Sequence, residues 1–144
     1  MFTTGNLLYI HNYHFSNGNP SKPKYLLVLD NNGTDVVVMN LPTSKAFIPD
    51  CIDKQHGCIN DAERDINCYY FQANRVISDN GFSFPKDTFV YSQQVGVVSL
   101  TAFENTYNDT DCFVKCLVDG GEFRAIKECL KHSNRIKNKI KQRL

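Results

Sequence analysis

The sequence predicts a mainly β fold, a small β-barrel with a C-terminal α-helix packed on it. Three observations predict it. Residues 25–29 (YLLVL) and 36–39 (VVVM) are short apolar runs around an Asn–Asn–Gly turn, the pattern of a β-hairpin. Further short apolar or aromatic runs recur along the chain, separated by turn residues, as in small all-β domains. Only the last part of the chain changes to the helical period.

The elements follow in order. Residues 7–10 form a short apolar run after Gly5 and predict the first strand. Residues 11–22 are dense in Asn, Ser, Gly and Pro and predict a loop. Residues 25–29 have no polar alternation, which suits a strand buried on both faces. Asn31, Asn32 and Gly33 tolerate positive φ and predict the turn. The β-branched run 36–39 predicts the returning strand, which Pro42 ends because proline has no N–H for the ladder. Residues 51–68 (CIDKQHGCINDAERDINC) are polar without clear period and predict an inserted loop. Residues 69–71 and 75–77 predict short strands, and Asp79–Asn80–Gly81 a turn. Residues 88–91 and 95–100 predict the next strands, with 101–103 a candidate extension. Residues 112–118 predict the last strand, with Cys112 and Cys116 on one face, and Asp119–Gly120–Gly121 a turn. From Glu122, the residues Phe123, Ile126, Leu130, Ser133, Ile136, Ile140 and Leu144 recur every three or four positions. This predicts an amphipathic helical segment at about 121–143 that breaks near 132–134.

The 144 residues suit one domain, with a barrel at about 5–118, the insert at 51–68 and the terminal helical segment. Ten Phe and seven Tyr supply core material. No apolar run reaches the roughly 18–20 residues that span a bilayer, and the N-terminus lacks the basic start of a signal peptide. A cytoplasmic protein without membrane contact is therefore expected. In that compartment disulfides are not expected, so the six cysteines read as buried small side chains, metal ligands or redox groups. Residues 124–144 hold eight Lys and Arg against the single Glu128, about +7, while the remainder carries about −6. That asymmetry suits a polyanion or a protein partner. An amphipathic helix whose basic face is merely solvated, its apolar stripe packed on the barrel, is the preferred reading.

Gly5–Asn6–Leu7–Leu8, a polar loop and then KPKYLLVL resemble the opening of the MazF/PemK-like toxins, whose fold is an SH3-like barrel. NLPTSKAFIP resembles the segment after the third strand where that family carries a catalytic threonine. FPKDTFVYSQQVGVVS resembles the later acidic-then-strand stretch, and the terminal helix has its counterpart. The loose match covers most of the chain, but residues 51 to about 66 have no counterpart in the short bacterial forms. The family's catalytic arginine falls on Lys24 and its following proline on Tyr25. The type III toxin–antitoxin endoribonucleases share the barrel and use lysines with a Thr–Ser pair. Lys24 with Thr43, Ser44 and Lys45 is similar to that set.

The resemblance implies a metal-independent endoribonuclease without cofactor. It would cleave single-stranded RNA by 2′-OH attack, restrained by a protein or RNA antitoxin and able to homodimerise. Lysine ammonium groups would face non-bridging phosphate oxygens, and the hydroxyls would position the phosphate. Lys24 works as a base only if its pKa falls well below about 10.4. A Pro–Thr–Ser–Lys string is also an ordinary turn. His11, Tyr13, His14 and Lys22 border the first loop as RNA-binding candidates: imidazoles titrate near neutrality, and aromatic rings stack on bases. Loop histidines are also commonly just solvated. Cys51, His56, Cys58 and Cys68 are the right types for tetrahedral zinc but lack a Cys-x2-Cys pair, so no metal is expected. The alternative function is a non-catalytic SH3-like barrel that binds nucleic acid or a partner protein.

Overall fold

A computed structural model of the chain describes residues 1–14, 18, 20–41, 48 and 51–144. Pro42 and the Thr43–Lys45 cluster lie outside the described residues. Among the described residues there are eight strands: β1 (Asn6–Tyr13), β2 (Lys22–Asn31), β3 (Asp35–Leu41), β4 (Gly57–Asp61), β5 (Ile66–Phe71), β6 (Thr88–Tyr91), β7 (Val95–Ser99) and β8 (Cys112–Leu117). Three α-helices accompany them among the described residues, α1 (Leu100–Thr106), α2 (Gly120–Lys131) and α3 (Asn138–Lys141), with a 3-10 turn at Ser92–Gln94. The protein is mainly β, as expected, but among the described residues the strands do not close into a barrel. Its strands form a five-stranded sheet in the order β7-β3-β2-β1-β8 and a three-stranded sheet in the order β4-β5-β6, each antiparallel.

The β2–β3 hairpin is the centre of the larger sheet. Gly33 adopts a φ of 89° in its turn, where a side chain would be strained. The Asn31 side chain accepts from the Gly33 N–H, and that of Asn32 accepts from the N–H groups of Thr34 and Asp35. The continuous apolar run of β2 is explained by burial of both faces. Leu27 and Leu29, with Val37, Met39 and Leu41 of β3, face the three-stranded sheet and α2. Leu26 and Val28, with Val36 and Val38, face Phe2 and Phe103 of α1. A further apolar cluster lies on the outer side of the small sheet, formed by Ile59, Cys68, Tyr70 and Phe89.

Four local expectations are corrected. The predicted insert loop contains the β4–β5 hairpin, whose turn places Asp65 at a φ of 53°. Residues 75–77 are not a strand; Ile77 accepts from the Asp119 N–H and donates to the Phe82 carbonyl within a turn. Residues 101–103 do not extend β7. Ser99 instead caps α1, its side chain accepting from the Ala102 N–H, because a hydroxyl satisfies one of the orphan donors of a first turn. Cys112 and Cys116 lie on opposite faces: a register shift against Leu7 and Leu8 inserts Lys115 into the ladder. One extra residue inverts the alternation.

The terminal segment follows its apolar stripe. Asp119 caps α2 through the N–H groups of Gly121 and Glu122, so the predicted Gly–Gly turn is the first turn of the helix. Ile126, Leu130 and Ile136 are buried, and Phe123, Ile140 and Leu144 pack beside them. The break is anchored by Ser133, whose hydroxyl lies 2.8 Å from that of buried Ser92. Arg143 returns to the hairpin, bonding Asp30 at 2.7 Å and the Asp35 carbonyl at 2.9 Å.

Burial pushes the Cys68 thiol up to about 11, and burial with the nearby Asp111 carboxylate pushes Cys112 up to about 11. A folded pKa above the unfolded value of about 8.5 favours the native state below that value, and the contribution is lost as pH rises through the folded one. Urea midpoints are expected to fall between about pH 9 and pH 11. Cys68→Ala should reduce that slope; an identical slope in the variant would remove Cys68 as a source.

Candidate nucleic-acid interface

Four of the predicted residues, Tyr13, His14, Lys22 and Lys24, lie where β1 ends and β2 begins. Lys24 pairs with Ile10 and Lys22 with Tyr13, with an irregularity between them. A bulge increases local twist and re-aims the side chains beyond it. Here it carries Tyr13 onto the face covered by α1. The Tyr13 ring stacks over Tyr107 at 6.3 Å and 13°, and His14 stacks on the same ring at 5.6 Å and 22°. The His14 backbone N–H donates to the Tyr107 hydroxyl at 2.9 Å. The Lys24 ammonium lies 5.7 Å from the Tyr13 ring centroid, a cation–π position. Burial, followed by the neighbouring Lys22 charge, lowers the Lys24 pKa. Both causes act in the direction that base chemistry at a lysine requires.

A cleft of about 360 Å³ opens beside this group, between Tyr13, His14 and Leu26 on one side and Ala102, Phe103, Thr106 and Tyr107 on the other. Its volume is in the range that holds a small ligand or one base. Tyr107 sits at the C-terminal cap of α1, so α1 delivers the ring on which the loop residues stack. Sequence reasoning missed Tyr107 because its role arises only when α1 folds back over β1 and β2.

The other candidates are distributed differently. His11 belongs to the opposite face, against Tyr9 at 5.0 Å and Phe113 at 5.7 Å. Thr43, Ser44 and Lys45 lie outside the described residues. Leu41, the last residue of β3, pairs with Tyr25, the neighbour of Lys24.

The cysteines depart furthest from expectation. Cys58 of β4 and Cys129 of α2 form a disulfide with a Cα–Cα distance of 5.4 Å. This corrects the expectation that disulfides are absent, and it takes the Cys58 thiol out of the zinc candidates. Cys51 is exposed and Cys68 buried. His56 is fully engaged: Nδ1 accepts from the Gln72 N–H at 3.0 Å, so Nε2 carries the proton and donates to Glu122 at 2.5 Å. The same carboxylate oxygen accepts from the Tyr69 hydroxyl at 3.0 Å. Burial, then the Glu122 charge, raises the Tyr69 pKa. The Tyr69–Glu122–His56 group therefore ties the β4–β5 hairpin to α2. Among the described residues, no three His, Cys, Asp or Glu side chains are grouped to hold a metal.

Among the described residues, no helix is long and apolar enough to cross a membrane. Compared with known proteins, the chain matches no family model and no curated sequence.

Proposed function

We propose that the protein is a toxin-like, metal-independent endoribonuclease of the MazF/PemK type, nearer the type III group, acting on single-stranded RNA. Its sheets would be an opened variant of that family's SH3-like barrel. The observation that carries the reading is the Lys24 ammonium over the Tyr13 ring of the Tyr13–Tyr107–His14 stack, whose three rings line a base-sized cleft. In this reading a base enters the cleft against Tyr107. Neutral Lys24 takes the proton of the adjacent ribose 2′-OH, the 2′-oxygen attacks phosphorus, the 5′-oxygen leaves with a proton from the acid, and a cyclic phosphate forms. The Lys24 ammonium formed by that transfer compensates the charge that develops on the phosphate oxygens. The exposed His14 imidazole can donate the proton to the leaving oxygen. Thr43, Ser44 and Lys45 are proposed to position the phosphate, and an antitoxin to cover the site in the cytoplasm.

The Cys58–Cys129 disulfide favours a second reading. Such bonds persist in oxidising compartments, where a cytoplasmic toxin does not act. A non-catalytic member of the same fold would bind RNA or a partner protein through the same stack.

A cleavage assay on single-stranded RNA separates the two. Lys24→Ala is expected to lower kcat/KM by about 100-fold, with cleavage by the wild type persisting in chelator. If the wild type neither cleaves RNA nor arrests growth on expression, the nuclease reading fails.

A further inference from the structure

A second aromatic group occupies the other face of the five-stranded sheet. Residues i and i+2 of a strand share a face, so Tyr9 and His11 project together from β1. The flanking strands place Tyr25 of β2 and Phe113 of β8 directly opposite Tyr9. Ring centroids lie 5.1 Å apart for Tyr9 and Tyr25, and 5.4 Å for Tyr9 and Phe113. The buried side of this group continues through Tyr25 to Phe82 at 5.9 Å. Its outer side is open: His11 is exposed, and Phe113 is 39% exposed.

We propose that Tyr9, His11, Tyr25 and Phe113 form a stacking platform for the bases of single-stranded nucleic acid. The identity of the ligand rests on the RNA reading above. Rings held on a rigid sheet stack on any base face, because stacking needs no particular hydrogen-bond edge. The charge distribution fits a phosphate backbone at two margins. The Lys115 ammonium lies 5.7 Å over the Phe82 ring at one margin, and Lys22 and Lys24 lie at the strand end, the Lys24 ammonium on the α1 side over Tyr13. The carboxylate of Asp111, two residues from Phe113, accepts the Asn108 N–H. The platform and the Tyr107 cleft thus sit on opposite faces of the same sheet end. A strand passing around that end would have bases on both sides of Lys24.

The test uses the full chain and a 2′-O-methyl 12-mer of mixed sequence, which binds without being cut. The protein has no Trp, so Phe113→Trp introduces a single indole at the platform. Its emission is expected to be quenched by the single-stranded probe and not by its duplex. Phe113→Ala and His11→Ala are expected to weaken single-strand binding by about tenfold each, with unchanged melting temperatures. Absent quenching together with wild-type affinity in both alanine variants overturns the platform. So does a Phe113→Ala variant that loses self-association while binding RNA normally, since the face would then join two copies of the chain. RNA cleavage with normal Phe113→Ala affinity would sink the platform and leave the nuclease reading standing. Quenching without cleavage would do the reverse.

Discussion

Phe71→Ala is expected to destabilise the protein by about 3–5 kcal/mol, a large share of the roughly 5–15 kcal/mol that a domain of this kind has in total. Phe71 is 1% exposed. It stands on the inner face of β5, where the small sheet meets the large one. Its ring lies 5.0 Å from Tyr69, 5.3 Å from Phe84 and 6.1 Å from His56. Truncation removes the transfer term and leaves a cavity between rigid layers, which cannot collapse onto it. His56 and Glu122 are bonded to each other next to that gap, so opening it also exposes their contact to water. Urea unfolding should show the midpoint falling with little change in slope. Phe113→Ala, at an exposed site, is the comparison and should shift stability by less than about 0.5 kcal/mol. Similar losses at both positions would mean that Phe71 does not join the layers.

Legibility in the sequence followed the range of the interactions. The β2–β3 hairpin was readable because its register is set locally, by Asn31, Asn32 and Gly33 and by two adjacent apolar runs. The terminal helices were readable because Phe123 to Leu144 keep one stripe, and even the break near Ser133 was marked by its polar residues. The β4–β5 hairpin was not readable. Its strands carry Asn60, Asp61 and Asn67, and its apolar residues point alternately to two different clusters, with Tyr69 and Phe71 inward and Cys68 and Tyr70 outward. Residues 100–103 look strand-like by composition, and only Ser99 as a cap distinguishes the helix. Face assignments on β8 failed at Cys112 because a one-residue bulge depends on its partner strand and leaves no local mark.

The candidate site was legible at its near end only. Tyr13, His14, Lys22 and Lys24 are close in the chain, and pairing of β1 with β2 brings them together. Tyr107 reaches Tyr13 and His14 from the other end of the fold, through α1, and Phe113 reaches Tyr9 and His11 on the opposite face, through β8. Neither has a sequence signal of its own. Tyr9 illustrates the same point: it reads as a strand residue, and becomes part of an aromatic surface only when Tyr25 and Phe113 flank it. Charge placement was similarly partial. The basic C-terminal segment was visible, but the sequence did not show that Arg143 bonds Asp30 and the Asp35 carbonyl, or that Arg135 bonds Asp65.

Reduction of the Cys58–Cys129 disulfide is expected to cost about 2–4 kcal/mol. The two cysteines are separated by 71 residues, and loop-closure entropy for a chain of that length gives about 4 kcal/mol as the upper expectation. The bond is set on structure that already holds β4 to α2, through Tyr69, Glu122 and His56 and through Asn67, which donates to the Cys129 carbonyl at 3.0 Å. Its main effect is therefore on the unfolded chain, and the reduced protein should keep the native fold at lower stability. Cys58 is exposed and Cys129 is buried, so a thiolate from solvent reaches the Cys58 sulfur first. Cys58→Ser tests the assignment with least disturbance, since the exposed position accepts a hydroxyl. Its urea midpoint should match that of reduced wild type and should not respond to reductant. Thiol titration in denaturant should count four free groups before reduction, Cys51, Cys68, Cys112 and Cys116, and six afterwards. Six free thiols in the untreated protein would remove the crosslink, and with it the argument for an oxidising compartment that favours the non-catalytic reading. Four would strengthen that argument, because the Cys58 end is open to any reducing thiol in the surroundings.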